Sequence, residues 1–253
     1  MQGFGQVGIA FSGGVDSSFL LRFAIDTLGR ENVLALHARS CLLKAEEQEQ
    51  ARTWLERNHV PAERLRLVEL EPLSWGDFVR NQEDRCYICK RRIYQLFQAV
   101  LSSEGLAVLL DGTNADDLAL GPEERPGLQA ITELSVQIPL ATCELTKAEI
   151  RALSREMDLD TWKQPASSCL ASRISQGLEI TTARLEQVAA MEEVLMNFGF
   201  YGCRARLIQE AVVCLQLRRQ DMQRFYNSDV GNRLCVLLKE QGMKKIFLDL
   251  DGR

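Results

Sequence analysis

Histidine is nearly missing from this sequence: two residues, His37 and His59, in 253. Neither has the spacing of a zinc finger, so a His-built structural zinc site is not indicated. No run of 18 apolar residues occurs, and a membrane-spanning helix is not expected. The opening Met1-Gln-Gly-Phe-Gly-Gln-Val7 lacks a basic segment followed by an apolar one, and does not read as a signal peptide. Glycine (17) and proline (6) are too few for a collagenous or low-complexity chain, and 46% apolar residues exclude disorder as the main state. Positive charge is not in surplus either. Thirty Lys and Arg against 35 Asp and Glu leave a net charge of −5, a poor basis for bulk nucleic-acid binding. What remains is a globular chain of one to two domains, expected in the cytoplasm and long enough to bury a core without disulfides. Its eight cysteines are then expected to be reduced, metal-bound or catalytic.

The first part alternates strand and helix patterns. Val7–Phe11, Val33–His37, Leu65–Leu70 and Leu106–Leu110 read as strands, with Gln137–Leu140 as a fifth. Helical patterns run from the turn after Phe11 to about Leu28, over Lys44–Asn58, over Lys90–Leu101 and over Thr146–Met157. Thr146 with Glu149 makes a capping box at the last of these. Continuous apolar strands alternating with helices predict an α/β fold, a doubly wound parallel sheet. After about Ile174 the pattern changes. A helix over Thr182–Phe198 precedes strand-like runs at Arg204–Ile208 and Ala211–Leu217, two short helices, and a closing strand over Lys244–Leu250. The expected domains are therefore residues 1–174 and a small α+β unit over 180–253, with Ser175–Glu179 as linker.

Ser12-Gly-Gly-Val-Asp-Ser-Ser18 follows the first strand and opens the first helix. Two glycines let a phosphate approach the backbone. Serine hydroxyls and helix-start amides supply donors where the helix dipole favours an anion. The Gly-Lys-Ser/Thr ending of a Walker A loop is absent. Asp111-Gly-Thr-Asn-Ala-Asp-Asp117 follows the fourth strand, and ligands of open α/β sheets bind at the carboxyl ends of strands.

Cys86-Tyr-Ile-Cys89 precedes the helix expected from Lys90, and Cys169 lies in Cys169-Leu-Ala-Ser-Arg173. A CxxC alone fits a redox pair, half a zinc site or part of an iron–sulfur site. Three thiolates would hold three irons of a [4Fe–4S] cluster and leave the fourth open to an external sulfur ligand. Cys143 is the remaining candidate for a fourth ligand to zinc. Otherwise Cys143 reads, with Cys41, Cys203, Cys214 and Cys235, as a small buried hydrophobe.

The Ser12–Ser18 string resembles the PP-loop of the ATP pyrophosphatases, which cleave ATP between its α and β phosphates. Further strings resemble one family of these enzymes, the LarE sulfur transferases, over nearly the whole chain. They are Ala38-Arg-Ser40, Asp111-Gly-Thr-Asn114, Arg125-Pro-Gly127, Leu145-Thr-Lys-Ala-Glu-Ile-Arg151 and Cys169-Leu-Ala-Ser-Arg-Ile174. The resemblance implies a Rossmann-like PP-loop domain that uses ATP and Mg²⁺. Ser12, Gly13, Gly14, Asp16, Ser17, Ser18, Ala38, Gly112, Thr113 and Arg125 would bind the nucleotide, with Asp16 as the Mg²⁺-linked or structural acid. It implies a substrate, pyridinium-3,5-biscarboxylic acid mononucleotide, whose carboxylates are adenylated and become thiocarboxylates in nickel-pincer cofactor synthesis. Cys86, Cys89 and Cys169 match the form that carries sulfur on a [4Fe–4S] cluster; a single-cysteine form instead gives up the sulfur of the residue matching Cys169. Ser172, Arg173, Arg204 and Arg206 would bind the substrate. A sulfide donor and a homo-oligomer, a hexamer by resemblance, are further expectations. The chain departs from the family after Arg206, where Ile208 stands near a usual His. The rival readings are tRNA thiolation, for which no basic, aromatic-interleaved RNA module is visible, an amide-forming synthetase, and a non-enzymatic nucleotide-binding module.

Overall fold

The computed structural model describes every residue except Ala166, Asn227, Ser228 and Arg253, and every side chain but that of Gln2 among the rest. In chain order, β1 (Val7–Ala10), α1 (Val15–Leu28), β2 (Val33–Arg39), α2 (Ala45–Arg57) and β3 (Leu65–Glu69) come first. The single-turn α3 (Gly76–Val79), the long α4 (Arg85–Ser103) and the two-residue β4 (Leu109–Leu110) follow. Four short helices, α5 (Ala115–Ala119), α6 (Gly121–Glu124), α7 (Gly127–Glu133) and α8 (Pro139–Thr142), lead to α9 (Lys147–Glu156). The chain closes with α10 (Thr182–Asn197), β5 (Arg204–Gln209), β6 (Val212–Gln216), α11 (Arg219–Tyr226), α12 (Val230–Glu240) and β7 (Lys245–Leu248).

Two compact units divide these elements: Met1–Glu71 with Glu83–Gln164, and Pro72–Gln82 with Pro165–Arg253. The first is an α/β unit. Its parallel sheet has the order β3-β2-β1-β4, and Gln137 adds one parallel bridge outside Leu110. Helices cover both faces, so β2 buries its first five residues in a row. Phe19 and Leu20 of α1 and Ile150 of α9 belong to one core cluster; Tyr94, Phe97 and Leu101 of α4 belong to the other.

Three expectations shift here. The run over Leu106–Leu110 pairs only at Leu109 and Leu110. The fifth strand shrinks to the Gln137 bridge because Pro139, with no N–H to give a ladder, starts α8. α4 begins five residues before Lys90, with the Ile88 amide bonded to the Asp84 carbonyl, so both cysteines of CxxC lie inside the helix.

The second unit has an antiparallel β5–β6 hairpin with an irregularity between Leu207 and Gln209, and β7 pairs parallel with β6. Ala205, Leu207, Val213 and Leu215 form its buried sheet face, and α10 buries Leu185, Val188, Met191 and Leu195. The excursion Pro72–Gln82 is tied in by Asn81, fully buried and at φ 57°. Its Nδ2 donates to the carbonyls of Ile174, Ser175 and Leu178 at 3.3, 2.8 and 2.7 Å. Its own carbonyl accepts from the Gly177 amide at 3.0 Å. Ser175–Glu179, read from the sequence as a linker, is thus a pinned turn inside this unit; the chain passes between units at residues 71/72, 82/83 and 164/165. Among the described residues no helix is long and apolar enough to cross a membrane.

Candidate active site

The chain leaves β1 for β2 and β3 on one side, then returns to place β4 on the other. That reversal opens a crevice at the carboxyl ends of β1 and β4, the place where open α/β sheets take ligands. Ser12–Ser18 and Asp111–Asp117 leave those two ends. They touch: a Cβ on Gly112 would lie 3.0 Å from the Ser17 nitrogen and 3.2 Å from the Asp16 carbonyl carbon. Gly13 is required twice over. It sits at φ +78°, and a Cβ there would lie 2.8 Å from that of Ala51.

The loop is held by its own serines. The Ser12 amide donates to Ser17 Oγ at 3.1 Å, the two hydroxyls are 3.0 Å apart, and Ser17 Oγ donates to the Gly14 carbonyl at 3.2 Å. Gly14 is the extended N-cap of α1, so the first-turn amides of a 14-residue helix face the loop without intrahelical acceptors. Asp16 Oδ2 accepts from Lys147 Nζ at 2.5 Å, while its buried Oδ1 and the buried Ser18 Oγ have no hydrogen-bond partner among the described residues. The Lys147 amide donates to Asp116 Oδ2 at 2.8 Å, and the Ala115 amide to the Leu145 carbonyl at 2.9 Å. The start of α9 is therefore stitched to both loops. Lys147 touches the Ser12–Ser18 loop and was not singled out by motif reading; its signal was its place beside the Thr146 cap, which the structure retains.

Asp111 anchors the second loop. Its Oδ1 accepts from the Thr113 amide at 2.8 Å and from the Thr113 hydroxyl, its Oδ2 accepts from Tyr94 Oη, and Lys90 Nζ stands 3.7 Å away. Burial alone pushes the Asp111 carboxyl up, but the Lys90 charge and the bonds from Thr113 and Tyr94 outweigh it and hold it below the usual carboxylate range. Burial, then the Asp111 charge and hydrogen bond, push the Tyr94 phenol well up. Arg125 pairs with Asp117 at 2.6 Å and is half exposed. Ala38 sits at the end of β2, one residue past His37, whose Nδ1 bonds to the Phe11 carbonyl at 2.9 Å. His37 packs on Phe11, and Phe11 on Trp54, with ring centroids 5.9 and 5.1 Å apart.

Cys86 is exposed and Cys89 half-buried in the first turns of α4. Arg85 Nη2 lies 3.6 Å from Cys86 Sγ. Lys90 follows Cys89 and reaches Asp111, so the cysteine helix and the β4 loop share one charge contact.

Cys169 belongs to the second unit, where it precedes the short helix Leu170–Arg173. Arg173 is only 5% exposed. Its Nε donates to Glu192 Oε1 at 2.8 Å, and its Nη1 donates to the Ser168 carbonyl at 2.8 Å, to Ser172 Oγ at 2.9 Å and to Ser168 Oγ. Ser172 Oγ donates to the Cys169 carbonyl at 2.7 Å. Arg206 Nη1 donates to the Ser172 carbonyl at 3.0 Å and its Nε to Gln216 Oε1 at 2.6 Å. Arg204 and Arg206 share one face of β5, as their spacing requires. Expected from the sequence as a substrate contact, Arg173 has its guanidinium engaged inside the protein and holds the Cys169 loop. Glu192 went unnoticed, although it falls on the apolar stripe of α10, four residues after Val188 and seven after Leu185.

The thiolate candidates are thus divided, Cys86 and Cys89 in one unit and Cys169 in the other. Among the described residues no three His, Cys, Asp or Glu side chains are gathered as metal ligands.

No family model matches the chain. It is 33% identical over 247 residues to an uncharacterized protein of Synechocystis sp., covering 96% of this chain and 88% of that one. It is 31% identical over 249 residues to the pyridinium-3,5-bisthiocarboxylic acid mononucleotide synthase of Lactiplantibacillus plantarum, covering 98% of this chain and 86% of the relative. An uncharacterized protein of Methanocaldococcus jannaschii is 25% identical over 243 residues. A match of that identity running almost end to end, on a chain with both crevice loops and the Cys169–Arg173 string, means that this protein belongs to the LarE family.

Proposed function

We propose that this protein is an ATP-dependent sulfurtransferase that turns the carboxylates of pyridinium-3,5-biscarboxylic acid mononucleotide into thiocarboxylates. The observation that carries the reading is the near full-length likeness to the Lactiplantibacillus plantarum synthase. The crevice of the first unit supports it. In this reading the unit carrying Ser12–Ser18 supplies nucleotide chemistry and the unit carrying Ser172, Arg204 and Arg206 binds substrate.

A substrate carboxylate attacks the α phosphorus of ATP, the bond to the β-phosphate oxygen breaks, and pyrophosphate leaves. The first-turn amides of α1, Ser12, Ser17 and Ser18 hold the departing charge, and Gly13, Gly14, Gly112 and Thr113 shape the loops around it. Mg²⁺, bound through the partnerless Oδ1 of Asp16, would neutralise phosphate charge. Lys147 keeps Asp16 in place. Ala38 and Arg125 flank the nucleotide. A sulfur nucleophile then attacks the acyl carbon, a C–S bond forms, and AMP takes the electrons of the broken C–O bond. Ser172, Arg204 and Arg206 hold the mononucleotide.

Cys86, Cys89 and Cys169 offer the soft thiolate donors that iron prefers, and a [4Fe–4S] cluster on them would supply a coordination site for the incoming sulfur. A second reading is favoured by the Cys169 loop itself, which Arg173, Ser172 and Arg206 hold within one unit: the Cys169 sulfur attacks the acyl carbon, and its Cβ–S bond then breaks by elimination, leaving dehydroalanine in the chain. Iron, acid-labile sulfide and thiocarboxylate yield, measured on anaerobically purified protein and on Cys86→Ser, separate the two. Multiple turnovers with iron present, both lost in the variant, support the cluster. One turnover per chain without iron supports the sacrificial route. Absence of substrate-dependent pyrophosphate release under either condition overturns the function.

A further inference from the structure

β7 is an edge strand with an open side. The order β5-β6-β7 leaves its outer side without a neighbour. Lys245 and Asp249 donate their amides inward, to the carbonyls of Ala211 and Leu215. Backbone direction alternates along a strand, so the N–H and C=O groups of Ile246 and Leu248 face outward. The flank of the edge is concave: a space of about 480 Å³ is lined by Cys235, Lys239, Lys244, Lys245, Ile246 and Phe247. Phe247 is 52% exposed. Lys239, Lys244 and Lys245 make no ion pair among the described residues.

Lysine on an edge commonly serves to repel other strands. The rest of this edge does the opposite. Lys245-Ile-Phe-Leu-Asp249 is complementary to itself when reversed. We propose that the β7 edge is a two-fold interface at which a second copy of this chain pairs antiparallel through its own β7.

One register satisfies every group, the one centred on Phe247. Ile246 of each copy then faces Leu248 of the other, and these two pairs exchange four backbone hydrogen bonds. Phe247 meets its counterpart at a non-hydrogen-bonded position, where side chains come closest. Lys245 of each copy faces Asp249 of the other, whose carboxylate Gln216 Nε2 and the Asp251 amide already hold in place at 2.7 and 3.1 Å. Shifting the centre to Ile246 sets Lys245 opposite Phe247 and loses both ion pairs; shifting it to Leu248 sets Phe247 opposite Asp249. Such a contact is isologous and closes on itself, so it stops at two copies and does not propagate into a fibre. The inference stands on the second unit alone and does not depend on the reaction proposed above.

The test is charge reversal followed by rescue, read as molar mass by sedimentation velocity across a concentration series of the full-length protein. Lys245→Glu and Asp249→Lys should each weaken the two-fold contact at least about tenfold, since both cross-interface pairs become repulsive. The double variant carrying both changes should restore it. Restoration also shows that neither change unfolds the chain. In a Cys214→Ser background, which removes the thiol opposite position 247, Phe247→Cys should form an inter-copy disulfide on mild oxidation. Lys245→Cys should not, because its counterpart lies four residues away along the strand. Equal masses for wild type and single reversals, a double variant that stays dissociated, or cross-linking at 245 without 247 would each overturn the proposal.

Discussion

Glu192→Ala leaves the Arg173 guanidinium inside the second unit without the carboxylate that neutralises it. The two side chains are 6% and 2% exposed and 2.8 Å apart, so water screens the pair little. Removing one partner of a buried pair costs about 3–5 kcal/mol. Two details of the site push in opposite directions. Arg173 keeps neutral acceptors at Ser168, Ser172 and the Cys169 carbonyl, which moderates the loss. The Ala205 amide, which also reaches Glu192 Oε1, loses an acceptor in a buried strand, adding about 1–3 kcal/mol. The expected cost is about 4 kcal/mol, a large share of a typical domain stability of about 5–15 kcal/mol. Urea unfolding gives the total. Hydrogen exchange gives the location: the Ser172 and Ile174 amides, bonded to the carbonyls of Cys169 and Ala171, should exchange at least about a hundredfold faster. Arg173→Met with Glu192→Leu separates stability from positioning. Stability should largely return, because apolar side chains of similar size replace the pair. Sulfur transfer should stay low, because Ser168 and Ser172 have lost their donor. A Glu192→Ala cost below about 1 kcal/mol, with unchanged exchange at Ser172, would refute the view that this pair organises the Cys169 loop.

Other predictions concern the first unit. Lys147→Met should reduce pyrophosphate release by about ten- to a hundredfold with little change in unfolding midpoint, Lys147→Arg retaining more, as a steady-state assay would show. Gly13→Ala should abolish pyrophosphate release; adding Ala51→Gly removes the clash at 2.8 Å but not the φ +78° strain, so only part of the stability should return. Burial, the leading cause, holds the His37 pKa below its ordinary 6.5, with the Phe11 carbonyl opposing. The unfolded chain therefore takes up a proton below pH 6.5 that the folded one refuses, and stability falls as pH drops from 6.5 toward the lower folded value. His37→Gln should flatten that part of a denaturation-versus-pH curve, and an unchanged slope would assign the acid loss to other groups.

The features legible before folding were those written in local chemistry. Strand and helix order follows from hydrophobic period, and the Thr146 cap and the Gly13 turn follow from residue types with few other uses. The loops after β1 and β4 were legible because glycine, serine and Asx residues there have conformational reasons to be clustered. Family membership was legible because its strings are spread over the whole chain. Strand length was not: Leu106–Leu110 is apolar throughout, yet pairing stops at two residues, and only neighbouring strands decide where a ladder ends. Nor was the passage of Pro72–Gln82 into the second unit, which rests on Asn81 meeting three carbonyls 93 to 97 residues away. The Lys147–Asp16 and Arg173–Glu192 pairs are of the same kind. A charged residue in a sequence carries its sign but not its partner, since attraction depends on distance and burial, and only the folded chain assigns both.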